Sequence, residues 1–362
     1  MTKDTSRNGK IDLLRMIFSL CVLLNHAKYL FSDTENFERF NYFSFAVEFF
    51  FLVSGYLMMA SIEKRQAYSS KPIYQDTVGF LSKKFKSVFV EATVAYAIGF
   101  FVVVSATKLS FFGLFANSWT ELLFISSGGI VGTYVNPAIW YISSMLLSMA
   151  IIYPIIRRYG KLAANVILPV VALLILAYMS LNYYSIRDPH AWTGVTLKGN
   201  LRAFAEISLG ALCYHFAEKL KRINFTFLSR LLLTGIEFGI YALVILYMTT
   251  QSDYLKDIMF LALLCVAVCI SFAHIGVVDK LLDNKFFYFL GKFSLPLYLS
   301  HNFFACYLSK LIPSFSSYGF AKKLTVYISL SIATAVIVMI ISKVIRKYAP
   351  LLWNKARPIF VK

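Results

Sequence analysis

The chain has 362 residues, of which 59% are hydrophobic and only 15% are charged. Soluble domains carry about 25% charged and 45–50% apolar residues, so this composition excludes an ordinary soluble protein. The net charge of +18 would suggest nucleic-acid binding in a soluble protein. Membrane proteins retain Lys and Arg in their cytoplasmic loops, which accounts for the charge without nucleic acid.

The apolar residues recur in blocks of about 20, the length that crosses a bilayer as a helix. We therefore predict an all-α polytopic membrane protein with about ten transmembrane helices, organised as one domain over residues 1–362 with no appended soluble domain. Placing both termini in the cytoplasm puts most of the 36 Lys and Arg on the inner side. The predicted spans are 11–31, 42–62, 87–106, 138–156, 162–181, 200–217, 231–249, 257–275, 293–312 and 323–345.

Two predicted outer loops are longer than the rest, at 107–137 and 182–199. The first contains "ISSGGIVGTYVNP", whose small residues would let a substrate approach the backbone, although it also fits an ordinary surface loop. The five cysteines all lie in apolar stretches and form no Cys-x-x-Cys motif. We therefore predict neither a disulfide framework nor a metal site.

The first predicted helix, "IDLLRMIFSLCVLLNHAKYL", contains two costly polar residues, Arg15 and His26. Eleven residues make about three helical turns and return to within about 20° of the starting direction. The two side chains therefore share a face, with Arg15 near the cytoplasmic surface and His26 deeper. Alone, each fits a snorkelling arginine or a core histidine. Together they predict one polar pathway inside the bundle, because polar groups on membrane helices normally face its interior.

The second predicted helix contains Glu48 among aromatic residues in "EFFFLVSG". A buried carboxylate must be paired or protonated, and His26 is an available partner. We therefore expect Glu48 to orient His26, as a carboxylate does for a general base. The alternative is a glutamate at the helix mouth that faces lipid headgroups.

Other polar and aromatic residues in the spans are candidates for lining a site. Arg202 and Glu206 are four residues apart, which also fits an internal ion pair. Tyr298 and His301 share a helix face, and Pro296 is expected to bend that helix. The candidates for lining are Ser54, Trp140, Tyr141, Arg202, Tyr298 and His301.

These elements together resemble the acyltransferase-3 family of bacterial membrane acyltransferases over essentially the whole chain. The most specific is the Arg-x10-His pattern of Arg15 and His26. The others follow in order: "EFFFLVSG", "WY" at Trp140 and Tyr141, "RAFAEISLG", and "LGKFSLPLYLSH". One departure is the stretch after the second helix, where the family has arginines running into a proline. Here the chain has Lys83, Lys84 and Lys86 and no proline.

The resemblance implies an O-acyltransferase of the bacterial cytoplasmic (inner) membrane, surrounded by membrane lipids. The donor would be acetyl-CoA or another short acyl-CoA, used as a co-substrate with no bound cofactor. The acceptor would be a hydroxyl of a cell-surface glycan or of a lipid-linked precursor. We expect His26 to act as the general base, supported by Glu48. The donor's phosphates are expected at Arg15, Lys83, Lys84 and Lys86.

Three alternatives remain open. Ser54 could be an acylated nucleophile beside His26, although a serine next to a glycine in a membrane helix is more often a packing residue. The chain could also be a transporter or flippase, because intramembrane polar residues mark substrate paths as well as catalytic sites. A glycan polymerase or ligase would have long outer loops rich in Arg and His, which this chain lacks.

Overall fold

The computed structural model describes residues 7–31, 42–66, 71–130, 135–183, 185–250 and 253–360, with all their side chains except those of residues 66 and 349–360. Helices dominate these ranges and no β-strand occurs in them, which confirms the predicted all-α class. The α-helices are α1 (Gly9–Ala27), α2 (Ala46–Gln66), α3 (Ile73–Ala106), α4 (Phe111–Leu122), α5 (Trp140–Leu162), α6 (Leu168–Asn182), α7 (Lys198–Leu220), α8 (Phe227–Tyr247), α9 (Tyr254–Ala273), α10 (Asp279–Leu282), α11 (Lys285–Ser300), α12 (Asn302–Leu311) and α13 (Phe320–Phe360).

Seven helical stretches of the described residues are long and apolar enough to cross a membrane. One of them, Pro137–Asn182, is 46 residues long and contains both α5 and α6. Gly160, at a positive φ of 57°, interrupts the regular helical geometry near the end of α5. The chain is therefore a multi-pass membrane protein, whereas ten spans and cytoplasmic termini stay predictions.

Helices α1 and α11 pack against each other and run in the same direction. Asp12 of α1 lies against Gly291 of α11. A Cβ added to Gly291 would overlap the Asp12 carboxylate. Farther along, the Ser19 hydroxyl donates to the Ser294 carbonyl at 3.4 Å. Because the helices are parallel, the C-terminal end of α1 meets the C-terminal end of α11.

Helices α2 and α7 cross in close contact through two glycines. A Cβ on Gly55 would overlap the carbonyl oxygen of Ile207, and one on Gly210 would overlap that of Leu52. Small residues allow membrane helices to approach in this way. The crossing brings the polar residues of α7 directly against α2.

The predicted span 293–312 is two helices, α11 and α12, separated at His301. The Nδ1–H group of His301 donates to the Tyr298 carbonyl at 2.6 Å. In an unbroken helix that carbonyl would accept from the backbone N–H four residues later, at Asn302. The side chain thus competes with the helix for its own carbonyl, which accounts for the break.

The segment 107–137, predicted to be an outer loop, contains the helix α4. Ser110 caps its N-terminus by accepting from the Gly113 N–H at 3.1 Å. The 12 residues of α4 are too few to span a bilayer, which is why a search for apolar blocks of membrane length passes over it.

Candidate functional site

A large cavity of about 1440 Å³ opens among the N-terminal halves of α1 and α11 together with α2, α3 and α7. We call it the basic cavity, because the cations of its lining outnumber its carboxylates. In this lining Asp12 pairs with Arg7 and Glu218 pairs with Lys221, each at 2.5 Å, whereas Arg15 lies 3.8 Å from Asp12. The basic side chains of the lining are Arg7, Arg15, Lys84, Lys221, Lys280, Lys285 and Lys292.

The three predicted lysines of α3 face different surroundings. Lys84 lines the basic cavity together with Arg15, and donor binding by the two residues stays a prediction. Lys86 lies instead in a separate groove beside Phe85 and Phe124, and Lys83 belongs to neither lining. On a helix Lys84 is turned by about 100° from Lys83 and by about 160° from Lys86, so its side chain points away from both.

Five cations of the basic cavity were not among the predicted site residues. Four of them lie in "EKLKR", in "DKLLDNK" and in the first half of α11, segments that the ten-span prediction places on the cytoplasmic side. Their positive charge is the sequence feature that could have marked them as candidates. The local sequence does not show, however, which segments far apart in the chain lie next to each other. The five are Arg7, Lys221, Lys280, Lys285 and Lys292.

Aromatic rings and hydroxyl groups line the end of the basic cavity that lies at Tyr298. The hydroxyls of Ser54 and Tyr141 are 3.1 Å apart, and Tyr141 also donates to the Phe50 carbonyl at 3.2 Å. Tyr298 donates to the Ala138 carbonyl at 2.6 Å, which fixes its ring in this wall. All these rings restrict passage beyond the cavity.

A second cavity of about 480 Å³ lies at the opposite ends of α1 and α11. We call it the histidine cavity, because His26 is in its lining. Trp140 and Arg202 contribute further walls, and the segment before α7 covers it with Asp188 and His190. Tyr298 lines both cavities and is therefore the partition between them.

His26 is paired with a second histidine. Its Nδ1 atom lies 2.9 Å from the Val22 carbonyl oxygen and 3.1 Å from Nε2 of His301. Because the Nδ1–H of His301 donates to the Tyr298 carbonyl, Nε2 of a neutral His301 is an acceptor. Nδ1 of His26 thus faces two acceptors and carries the proton, which leaves Nε2 of His26 as its basic atom.

Two predictions about His26 are wrong. Arg15 and His26 do not line one cavity, because each belongs to a different lining and Tyr298 belongs to both. Nor does Ser54 lie beside His26, since it lines the basic cavity. Arg15 and His26 do lie on one face of α1, but that face borders two separate cavities.

Glu48 is not the partner of His26, which corrects a further prediction. Arg202 Nε donates to Glu48 Oε2 at 2.7 Å, and both side chains are fully buried. Arg202 also forms the predicted pair with Glu206, at 3.5 Å. The Arg202 guanidinium also donates to the backbone carbonyls of Ser44 and Arg187. Glu48 thus neutralises Arg202, and His301 takes the place beside His26.

One comparison with known proteins produced a match. The family model described as an acyltransferase domain matches residues 8–343, nearly the whole chain. The matched range includes every lining residue of both cavities except Arg7. No curated protein and no solved structure matches the chain.

Proposed function

Because the chain belongs to the acyltransferase-3 family, we propose that it is a membrane O-acyltransferase that uses a cytoplasmic acyl-CoA. It moves an acetyl or other short acyl group to a hydroxyl of a cell-surface glycan or its lipid-linked precursor. The observation that carries the proposal is the pair of cavities at opposite ends of α1 and α11, which meet at Tyr298. A donor and an acceptor can therefore approach one point from opposite sides of the bacterial cytoplasmic membrane.

The donor's phosphates fit the basic cavity. Coenzyme A is anionic, and an arginine binds phosphate oxygens through a planar fork whereas a lysine acts as a point charge. Arg15 is suited to this role because its one carboxylate neighbour, Asp12, lies 3.8 Å away and is paired more closely with Arg7. With the phosphates at Arg15 and Lys84, the pantetheine arm extends along the cavity toward Tyr298.

His26 provides the base. Its Nε2 takes the proton of the acceptor hydroxyl as the oxygen attacks the thioester carbonyl. The new C–O bond forms, the C–S bond breaks, and His26 returns the proton to the departing thiolate. His301 and the Val22 carbonyl stabilise the charged ring meanwhile, since both accept from Nδ1–H. General-base help of this kind is worth about 10²–10⁴-fold in rate.

A matched pair of lysine variants tests donor binding. We expect Lys84→Ala to raise KM for acetyl-CoA about tenfold, the equivalent of about 1.4 kcal/mol, with little change in kcat. Lys86→Ala removes the same charge from the separate groove and should leave KM unchanged. Kinetics of free-thiol release in proteoliposomes measure both, and raised salt should weaken the effect. Equal KM values for the two variants would exclude Lys84 from the donor site.

The rival function is transport, which two cavities separated by an aromatic partition also suit. The deciding test incubates the purified protein with acetyl-CoA and the cells' own surface glycan. An acyltransferase releases free thiol and adds O-acetyl groups that NMR detects on the glycan. A transporter would leave acetyl-CoA intact, and its deletion strain would lose no acyl signal.

A further inference from the structure

Two buried amides line the histidine cavity with an atom that has no protein partner. Asn302 is 1% exposed and Asn25 is 5% exposed. The Nδ2 atom of Asn302 and the Oδ1 atom of Asn25 form no hydrogen bond among the described residues. Buried polar atoms in proteins are almost always paired. A donor and an acceptor without partners, on two residues of one cavity lining, therefore indicate a bound group with the complementary atoms.

The orientation of the Asn302 amide is set by the next turn of its own helix. The Cys306 Sγ–H donates to Asn302 Oδ1 at 3.4 Å, and both residues line the histidine cavity. Because Oδ1 already accepts this hydrogen bond, Nδ2 is the amide atom of Asn302 that has no partner among the described residues. Its two N–H groups are the donors left for a ligand.

Both amides are chain neighbours of the paired histidines. Asn25 directly precedes His26, and Asn302 directly follows His301 at the start of α12. The two histidine rings are 3.1 Å apart at their closest nitrogens, so the amides flank the base from two different helices. Both belong to the lining that also contains the basic histidine.

We propose that Asn302 is a further catalytic residue, whose Nδ2–H donates to the oxyanion that forms when the hydroxyl attacks the thioester. Asn25 Oδ1 accepts from a second hydroxyl of the acceptor, which restricts the acceptor to polyhydroxylated molecules. This inference rests on the proposed acyl transfer. The carbonyl π electrons move to oxygen as the C–O bond forms, Asn302 binds that oxygen, and the electrons return as the C–S bond breaks and thiol leaves.

The roles of the two amides predict different kinetic effects. Removing one oxyanion donor reduces kcat by about 10²–10³-fold. Asn302→Ala should show that loss with KM for acetyl-CoA unchanged, and Asn302→Asp should be no better, because its carboxylate repels the oxyanion. Asn25→Ala should mainly raise KM for the glycan. The assay measures free thiol in proteoliposomes with acetyl-CoA and the cells' surface glycan.

Asn136 provides the control for a purely structural role. It is a buried asparagine whose Nδ2 donates to the Leu299 carbonyl at 2.7 Å. Asn136→Ala should therefore lower Tm by more than Asn302→Ala, which loses only the weak hydrogen bond from the Cys306 thiol. A Tm loss in Asn302→Ala as large as that in Asn136→Ala would make Asn302 a structural residue.

The outcomes also separate this inference from the function it rests on. If the wild type transfers acyl groups and His26→Ala does not, full kcat in Asn302→Asp overturns the oxyanion role alone. If the wild type consumes no acetyl-CoA, the proposed function itself fails. Loss of kcat in both Asn302 variants, with a smaller loss of Tm than in Asn136→Ala, supports the proposal.

Discussion

Replacing His26 with alanine is expected to reduce acyl transfer by about 10²–10⁴-fold while the protein still folds and inserts. The variant lacks the Nε2 atom that we propose takes the hydroxyl proton. It loses few contacts that hold the bundle together, because the ring bonds only to the Val22 carbonyl and to His301 among the described residues. The measurement is O-acetyl content of the surface glycan in a deletion strain that carries the variant.

His215→Ala is the matched control, since His215 lies on α7 in the lining of neither cavity. The His215→Ala variant should retain acyl transfer. The amount of each variant in the membrane, measured by immunoblotting, shows that neither change acts through folding. Full O-acetylation in the His26 variant would refute its role as the base.

Replacing Arg202 with alanine is expected to destabilise the fold by about 3–5 kcal/mol, the usual cost of removing one partner of a buried ion pair. The change leaves the carboxylates of Glu48 and Glu206 buried without their cation. It also removes the hydrogen bonds to the Ser44 and Arg187 carbonyls. Reversible unfolding in mixed detergent micelles measures the free-energy difference.

The double variant Arg202→Met with Glu48→Met separates charge from packing. The double variant leaves only Glu206 buried without a cation, whereas Arg202→Ala leaves two carboxylates, so the double variant should be the more stable of the two. An Arg202→Ala protein with wild-type stability and no transfer would instead place Arg202 in catalysis.

The sequence predicts what depends on local periodicity. The helical class follows from apolar blocks of membrane length. The shared face of Arg15 and His26 follows from the 3.6-residue repeat. The same repeat, applied to α3, would also have shown that Lys84 points away from Lys83 and Lys86.

The partner of each buried polar group could not be read from the sequence in the same way. Glu48 and Arg202 are 154 residues apart in the chain, and they meet because Gly55 and Gly210 let α2 and α7 cross in close contact. His26 meets His301 because α1 and α11 run in parallel and α11 breaks there. Both pairings depend on which helices are neighbours, and hydropathy along the chain carries no information about that.

The most direct test of the two-cavity arrangement is a cryo-electron microscopy structure of the protein in nanodiscs with a thioether analogue of acetyl-CoA, which cannot be cleaved. We predict that its phosphates contact Arg15 and Lys84 and that its acyl end reaches Tyr298 on the side of His26. An analogue bound outside the basic cavity, or with its acyl end turned away from Tyr298, would contradict the account.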